Sequence, residues 1–183
     1  MGEEQSGYIK DVGVELYQHM LEEAVAELRD DVSLSDQNWS PTVNLGVAVL
    51  IPEHYIEDLN LRLATYRRIG DVENDEASDA LAAELIDRFG PLPSELQSLL
   101  QVMQIKRLCK LAKVDKIDAG PKGLVLTIRH KDVEDPSVIL NAITQNQGWR
   151  LRPDQTILVK GNFHQDKVRV RETVKALKGL IAD

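Results

Sequence analysis

The chain has 183 residues, of which 43% are hydrophobic and only 4% aromatic, so it can bury a mainly aliphatic core. No apolar run approaches the ~20 residues needed to cross a bilayer, and the start MGEEQSGYIK lacks the basic and apolar segments of a signal peptide. We therefore expect a cytoplasmic protein with no membrane partner. The single cysteine, Cys109, excludes an internal disulfide and lies among apolar positions, which predicts a buried, unreactive thiol.

The net charge of −8 is distributed unevenly along the chain. Residues 1–99 contain 6 Lys and Arg against 21 Asp and Glu, a balance of −15, whereas residues 100–183 contain 16 against 9, a balance of +7. Clustered cations in the second part would suit a nucleic-acid-binding module, which is the alternative function that the sequence leaves open. Most of these cations fall on polar helix faces or near helix C-termini, and no aromatic residues interleave with them, so a solvated surface is the simpler interpretation.

The predicted elements begin with a long amphipathic helix over residues 8–30, where apolar residues recur every three to four positions. Residues 31–42 are rich in Ser, Asp and Asn and show no period, which predicts a linker and a domain boundary. Residues 43–51 place apolar side chains at every second position and so predict a strand, after which Pro52 stands where a helix can begin.

Three helices are predicted to follow, each with apolar residues on one side. The second has the clearest ends, because Asn74 can cap its N-terminus and Gly90 can stop it. The third matches a capping box through Ser94 and Gln97. The predicted helices are residues 54–69, which turn Ile56, Leu59, Leu63 and Tyr66 inward and end in a left-handed cap at Gly70; residues 75–89; and a helix from Ser94 that buries Leu96, Leu99, Leu100, Met103, Leu108 and Leu111.

The last seventy or so residues predict two β-hairpins, each followed by a helix. VDKIDA and GLVLTIR flank the turn-prone GPKG, and the helix after them has Asp135 as N-cap, Pro136 as its first residue and Gly148 as its stop. A second hairpin around RPDQ and a helix over about residues 165–181 complete a β-β-α-β-β-α order. The predicted fold class is α+β, with a small helical subdomain and short antiparallel strands preceded by the long N-terminal helix.

Signals for catalysis, a metal or a cofactor are few. No phosphate-binding, dinucleotide-binding, zinc-protease or nucleophile-elbow motif occurs in the sequence. The four histidines are far apart and have no Cys or carboxylate neighbours at metal-ligand spacing. We therefore expect no catalytic, cofactor-binding or metal-binding residues in this chain.

Several acidic residues share one side of the predicted helix 75–89. Glu84 and Asp87 lie three apart in ELIDRFG, so both carboxylates project from the same side of the helix. Paired carboxylates can accept bidentate contacts from arginine, so this strip is a candidate docking face for Arg or Lys of a partner. A solvated helix face is the other interpretation. The candidate partner-binding residues are Glu84 and Asp87, with Glu76, Asp79 and Arg88 as weaker candidates.

Four segments of the chain carry a family resemblance: GEEQSG, VGVELYQHMLEEAV, IPEHYIEDLNLRLATYRRI and AAELIDRFGPLP. Together they resemble the C-terminal end of the bacterial transcription-repair coupling factors. The resemblance implies that residues 1–30 are the tail of the helicase or translocase module and that residues 31–42 are a linker. Residues 43–183 are then the separate C-terminal regulatory domain, the TRCF domain.

The resemblance also implies a regulatory role in DNA repair, without catalysis in this part of the protein. In that family the parent chain releases RNA polymerase stalled on damaged DNA, using ATP in its motor, and recruits the nucleotide excision repair protein UvrA through a UvrB-like domain. The C-terminal domain is an autoinhibitory lid that docks on the UvrB-like domain and covers the surface for which UvrA competes. Glu84 and Asp87 then correspond to the carboxylates that contact arginines of the UvrB-like domain.

The helix predicted over residues 8–30 has an apolar stripe that needs a partner. If the motor module is missing, pairing of this stripe with a second copy would bury it. Self-association through residues 8–30 is therefore a further expectation for this chain.

Overall fold

The structure of the chain is a computed structural model that describes residues 39–181. The predicted long helix and motor tail, most of the predicted linker and the self-association segment lie outside these residues. The described residues from Ser40 onward belong to one compact unit, which contains five α-helices and a five-stranded sheet. The helices are α1 (Leu59–Gly70), α2 (Asp75–Phe89), α3 (Ser94–Ala112), α4 (Pro136–Gln145) and α5 (Asp166–Leu180); the strands are β1 (Thr42–Asn44), β2 (Val114–Gly120), β3 (Gly123–Ile128), β4 (Trp149–Leu151) and β5 (Thr156–Lys160).

The α+β fold class is confirmed, and the sheet has one feature that the sequence did not predict. Its strand order is β1-β2-β3-β5-β4, and the two predicted hairpins supply four antiparallel strands. β1 instead pairs with β2 in parallel, so the sheet is mixed. A parallel pair needs a long crossover, and α1, α2 and α3 together provide it between these two strands.

The strand predicted over residues 43–51 is mostly wrong, because β1 ends at Asn44. Gly46 takes a φ of +65°, and a Cβ on it would lie 3.1 Å from Nη1 of Arg169, so both the backbone conformation and the close contact favour glycine at this turn. The apolar residues that follow belong to an irregular segment, in which Ile51 is 3% exposed. Alternating apolar residues therefore enter the core here without extending the strand.

Helix α1 begins later than predicted, because Asp58 caps it. The Asp58 carboxylate accepts a hydrogen bond of 2.7 Å from the backbone N–H of Leu61. Leu59, predicted to point inward, is 56% exposed. The predicted left-handed cap is also wrong, since Gly70 is the last helical residue and the right-handed Asp71 caps the end.

Helix α2 has the bounds that the sequence predicts, with Asn74 as its N-cap and Gly90, at a φ of +86°, just past its end. Helix α3 begins at Ser94 as predicted, but the predicted capping box is wrong. The side-chain amide of Gln97 donates to the carbonyl oxygen of Leu92 at 2.9 Å, and no side chain caps the helix.

Two clusters of buried residues make up the core, and α3 contributes to both. Leu96, at the start of α3, belongs to a helical cluster formed with α1 and α2. The other buried members of the helical cluster are Ile51, Ile56, Ile69, Leu81 and Leu85. Val102, Ile105 and Cys109, further along, pack into a second cluster with the sheet, α4 and α5. Leu111 was predicted to be buried but is 65% exposed. Because one continuous helix lies in both clusters, the predicted helical subdomain is attached to the sheet by its own core residues.

The last two helices follow the sequence prediction closely. Asp135 caps α4, accepting a hydrogen bond of 2.8 Å from the backbone N–H of Ser137, and Pro136 is the first helical residue. The helix ends at Gln145, slightly before the predicted stop at Gly148. The final helix α5 lies within the predicted range.

Candidate docking surface on helix α2

Helix α2 has one side in the helical cluster and one side in solvent. Leu81 and Leu85 are buried, with exposures of 5% and 1%, and they point toward α1 and α3. Ile86 is 47% exposed, and the neighbouring Asp87 is also exposed. The helical repeat therefore places the predicted acidic strip on the outer side of a helix whose inner side is anchored.

The C-terminal end of α2 is held by the hydroxyl of a partly buried tyrosine, Tyr55. The hydroxyl of Tyr55 lies 3.0 Å from the carbonyl oxygen of Leu85 and 2.9 Å from that of Gly90, to which it donates. The ring of Tyr55 packs against Phe89 with a centroid distance of 5.7 Å, and burial raises the pKa of the Tyr55 hydroxyl. These contacts fix the turn of helix that carries Asp87.

The N-terminal end of α2 is held by an acidic residue that contacts α3. The two carboxylate oxygens of Asp75 accept hydrogen bonds of 2.8 Å from Arg107 and 2.8 Å from Gln104. The bond from Arg107, followed by that from Gln104, lowers the pKa of Asp75. Asp75 therefore connects two helices and does not belong to the outer strip.

Glu84 is already engaged by an arginine of the neighbouring helix. Nη1 and Nη2 of Arg68 donate to the two carboxylate oxygens of Glu84 at 2.8 Å and 2.6 Å, which is a bidentate ion pair between α1 and α2. Nη1 of Arg88 lies 3.4 Å from the same carboxylate. The hydrogen bonds from Arg68 are the main reason that the pKa of Glu84 is lowered to about 2.

Asp87 differs from Glu84 in its surroundings. It is exposed, and its carboxylate forms no ion pair or hydrogen bond with another residue of 39–181. Glu76 and Asp79 are likewise exposed and without such partners in this range. Arg88, the remaining weaker candidate, contacts Glu84 and lies 5.1 Å from the ring centroid of Phe89. Within residues 39–181, Asp87 is thus an unpaired negative charge, whereas the charge of Glu84 is largely neutralised by Arg68 and Arg88.

Sequence reasoning found both carboxylates but missed Arg68. The two acids were recognisable because residues three apart share a helix side. Arg68 is 16 positions from Glu84 and lies on another helix, so no spacing within one element could reveal the pair. The basic end of ATYRRI was the only available signal, and it does not distinguish Arg67 from Arg68.

The ion pair of Glu84 predicts a pH-dependent contribution to stability. The pKa of Glu84 is about 2 in the fold and near its ordinary value of 4.5 when the chain is unfolded, so the pair stabilises the fold above about pH 5 and is lost as the pH falls toward 2. We expect Glu84→Gln to lower the free energy of unfolding at pH 7 and to have a smaller effect near pH 2. Urea unfolding of this variant at both pH values measures the difference.

The control for this prediction is Asp87→Asn, which removes an exposed carboxylate one turn further along the same helix. It is expected to change stability little at either pH, because Asp87 has no partner among residues 39–181. Equal effects of the two variants at pH 7 would contradict the assignment of the ion pair.

Other kinds of site find little support within residues 39–181. No group of three or more His, Cys, Asp or Glu side chains in this range is arranged to hold a metal ion. Cys109 is buried, as predicted, and desolvation raises the pKa of its thiol to about 12, which disfavours the reactive thiolate. A groove of about 310 Å³ between α2 and α3 is lined mainly by polar side chains, among them the already bonded Asp75 and Gln104. None of the helices in the described range is long and apolar enough to span a membrane.

The basic second part of the chain is partly neutralised by its own carboxylates. Lys116 pairs with Asp118 at 2.8 Å, and Arg129 pairs with Asp115 at 3.1 Å and also with Asp132. These pairs reduce the positive charge that a phosphate backbone would meet, so they weaken the case for the alternative nucleic-acid surface.

Fold and surface together define a small α+β domain with a charged outer helix. A family model described as the TRCF domain matches residues 45–139, just over half of the chain. The chain belongs to the TRCF domain family.

Curated proteins named transcription-repair-coupling factor align with most of the chain. The transcription-repair-coupling factor of Rickettsia conorii is 42% identical over 160 residues, which are 86% of this chain and 14% of that protein. The factors of Haemophilus influenzae and Escherichia coli are each 33% identical and match 100% and 93% of this chain, respectively. The chain spans only 14–16% of the length of these relatives.

A solved structure shows the same fold. The crystal structure of the C-terminal domain of a transcription-repair coupling factor superposes with a TM-score of 0.66 at 18% sequence identity. The match covers 78% of this chain and 92% of that structure.

Proposed function

We propose that residues 43–183 form a non-catalytic, autoinhibitory domain of a transcription-repair coupling factor, with residues 1–30 as the tail of its motor module. The domain docks on the UvrB-like domain of the same polypeptide and masks the surface that binds UvrA. The observation that carries the proposal is the exposed outer side of α2, where the Asp87 carboxylate has no partner within residues 39–181. An arginine or lysine on the opposing surface is its natural complement.

The surface around Asp87 suits the side chain of an arginine. Ala83, one turn before Asp87, is exposed and small, and it leaves space for an approaching side chain. Ile86 is 47% exposed and offers an apolar contact for the aliphatic stem of an arginine whose guanidinium reaches the carboxylate. The hydroxyl of Tyr55, which donates to the backbone carbonyl oxygens of Leu85 and Gly90, holds this turn of α2 in place before docking.

Weak contacts are sufficient for such an interface because the two domains share one chain. Exposed ion pairs contribute roughly 0.2–1 kcal/mol each, and a tether raises the effective concentration of the partner surface into the millimolar range. In the parent protein, engagement of RNA polymerase or a rearrangement driven by ATP in the motor then shifts the population toward the undocked state. This domain itself needs no cofactor for that role.

The proposal predicts that Glu84→Ala combined with Asp87→Ala opens the docked state of the full-length parent protein. Loss of two exposed contacts at roughly 0.2–1 kcal/mol each should raise the capture of UvrA about 2- to 30-fold at subsaturating concentration. Capture of purified UvrA by immobilised full-length protein measures the effect.

The matched control is Glu53→Ala combined with Glu57→Ala. Both residues are exposed acids that lie before α1 and outside the outer side of α2. This control removes the same charge and should leave UvrA capture at the level of the parent. If the Glu84 and Asp87 double variant captures no more UvrA than the control, the docking site is wrong.

A further inference from the structure

The carboxylate of Glu84 already binds the kind of group that a docking partner would offer. Both of its oxygens accept hydrogen bonds from the guanidinium of Arg68, at 2.8 Å and 2.6 Å. The side chains of Arg68 and Glu84 are 48% and 39% exposed, so the pair lies at the surface, within reach of solvent. A partner's arginine that approaches Glu84 therefore meets a bidentate pair that is already formed.

A second cation, Arg88, also lies close to the Glu84 carboxylate. Nη1 of Arg88 lies 3.4 Å from the same carboxylate, so two guanidinium groups surround Glu84. A third cation that kept both neighbours in place would be repelled by them, because like charges this close are unfavourable. A partner can gain the full interaction with Glu84 only if Arg68 gives up its hydrogen bonds.

We propose that Arg68 is an internal competitor at the docking surface, which holds Glu84 in the undocked domain and yields it to a guanidinium of the partner on docking. This inference rests on the proposed function and adds a regulating residue to the same site. Asp87, which has no competitor among residues 39–181, makes the first contact, and the exchange at Glu84 follows. Arg68 thereby limits the strength of docking and keeps it reversible.

The inference predicts that removal of Arg68 tightens docking. With Arg68→Gln, the bidentate pair is lost and only Arg88 remains near Glu84, so more of its charge is open to the partner; we expect the full-length parent protein to capture UvrA about two- to fivefold less at subsaturating concentration. A merely structural role for Arg68 predicts the opposite direction, since a loosened contact between α1 and α2 would weaken docking and raise UvrA capture. Capture of purified UvrA by the immobilised full-length protein decides between the two.

Two controls make the test specific. Arg67→Gln removes the neighbouring arginine of α1, which is exposed and has no ion pair within residues 39–181, and it should leave capture unchanged. Arg68→Lys keeps the charge but cannot clamp both carboxylate oxygens, so its effect should lie between those of the parent and Arg68→Gln. In a Glu84→Gln background, Arg68→Gln should have no further effect, because the competition acts only through Glu84.

The outcomes separate this inference from the function on which it rests. If Asp87→Asn raises UvrA capture while Arg68→Gln behaves like Arg67→Gln or raises capture as well, Arg68 is not a competitor although the docking site stands. If neither Asp87→Asn nor the Glu84 and Asp87 double variant changes capture, the docking site itself is wrong. Thermal melts of each variant show whether a change in capture comes with a change in folding.

Discussion

Replacing Arg169 by methionine is expected to lower the free energy of unfolding by about 2–4 kcal/mol. Arg169 is only 8% exposed, and its Nη1 donates to the carbonyl oxygen of Leu45 at 2.6 Å. Its Nε donates to the carbonyl oxygen of Phe163 at 3.2 Å. Methionine keeps much of the apolar volume but leaves these carbonyl groups without their donor. The segment after β1 would then lose its bond to α5, which lies 124 positions away in sequence.

Urea unfolding at neutral pH measures this effect, and Arg171→Met is the matched control. Arg171 lies on the same helix, but its side chain is 72% exposed, and its one ion pair within the described part of the chain is with the neighbouring Glu172. Its loss is expected to change stability by no more than about 0.5 kcal/mol. A value for Arg169→Met close to that of the control would show that the buried guanidinium is not needed.

Replacing Leu85 by alanine is expected to cost about 2–5 kcal/mol, because it opens a cavity in the helical cluster. Leu85 is 1% exposed and lies on the inner side of α2, directly after Glu84. In the described residues, the helical cluster has six buried members, so the loss of one leucine removes a large part of its enclosed volume. Because α2 carries Asp87, the proposed docking predicts that the same change also raises UvrA capture by the full-length protein.

Ile86→Ala is the control for this prediction, since it removes a similar volume from the next position of the same helix. Ile86 is 47% exposed, so its replacement leaves no enclosed cavity and should cost less than about 1 kcal/mol. Chemical denaturation of both variants gives the comparison. Similar losses for the two variants would mean that the inner and outer sides of α2 are assigned wrongly.

Short sequence patterns were sufficient to predict the ends of a helix where those ends are set by the helix's own capping residues. The bounds of α2 were predicted because Asn74 accepts a hydrogen bond from the N–H of Ala77 and Gly90 adopts a positive φ, both properties of single residues. The same holds for α4, with its cap at Asp135 and its first residue Pro136. Family membership was also recognisable from sequence, because the motifs of α1 and α2 resemble those of the coupling factors, and the family match confirms it.

Short sequence patterns did not predict the length or the pairing of β1, because contacts with residues distant in sequence determine both. The alternation over residues 43–51 predicted a long strand, but the buried Arg169, from the other end of the chain, donates a hydrogen bond to the carbonyl oxygen of Leu45, and the chain turns at Gly46. Alternation shows which side chains enter a core, but not whether a neighbouring strand is present to continue the ladder. For the same reason, no pattern in β1 could show that it pairs in parallel with β2.

The sequence by itself determined that Glu84 and Asp87 share the outer side of one helix, because helical geometry relates residues three positions apart without regard to the rest of the chain. Only the tertiary structure decided that these two acids differ, since α1 brings Arg68 against Glu84 and leaves Asp87 exposed. The charge available to a partner depends on which cations lie nearby in space, and packing between helices sets those distances.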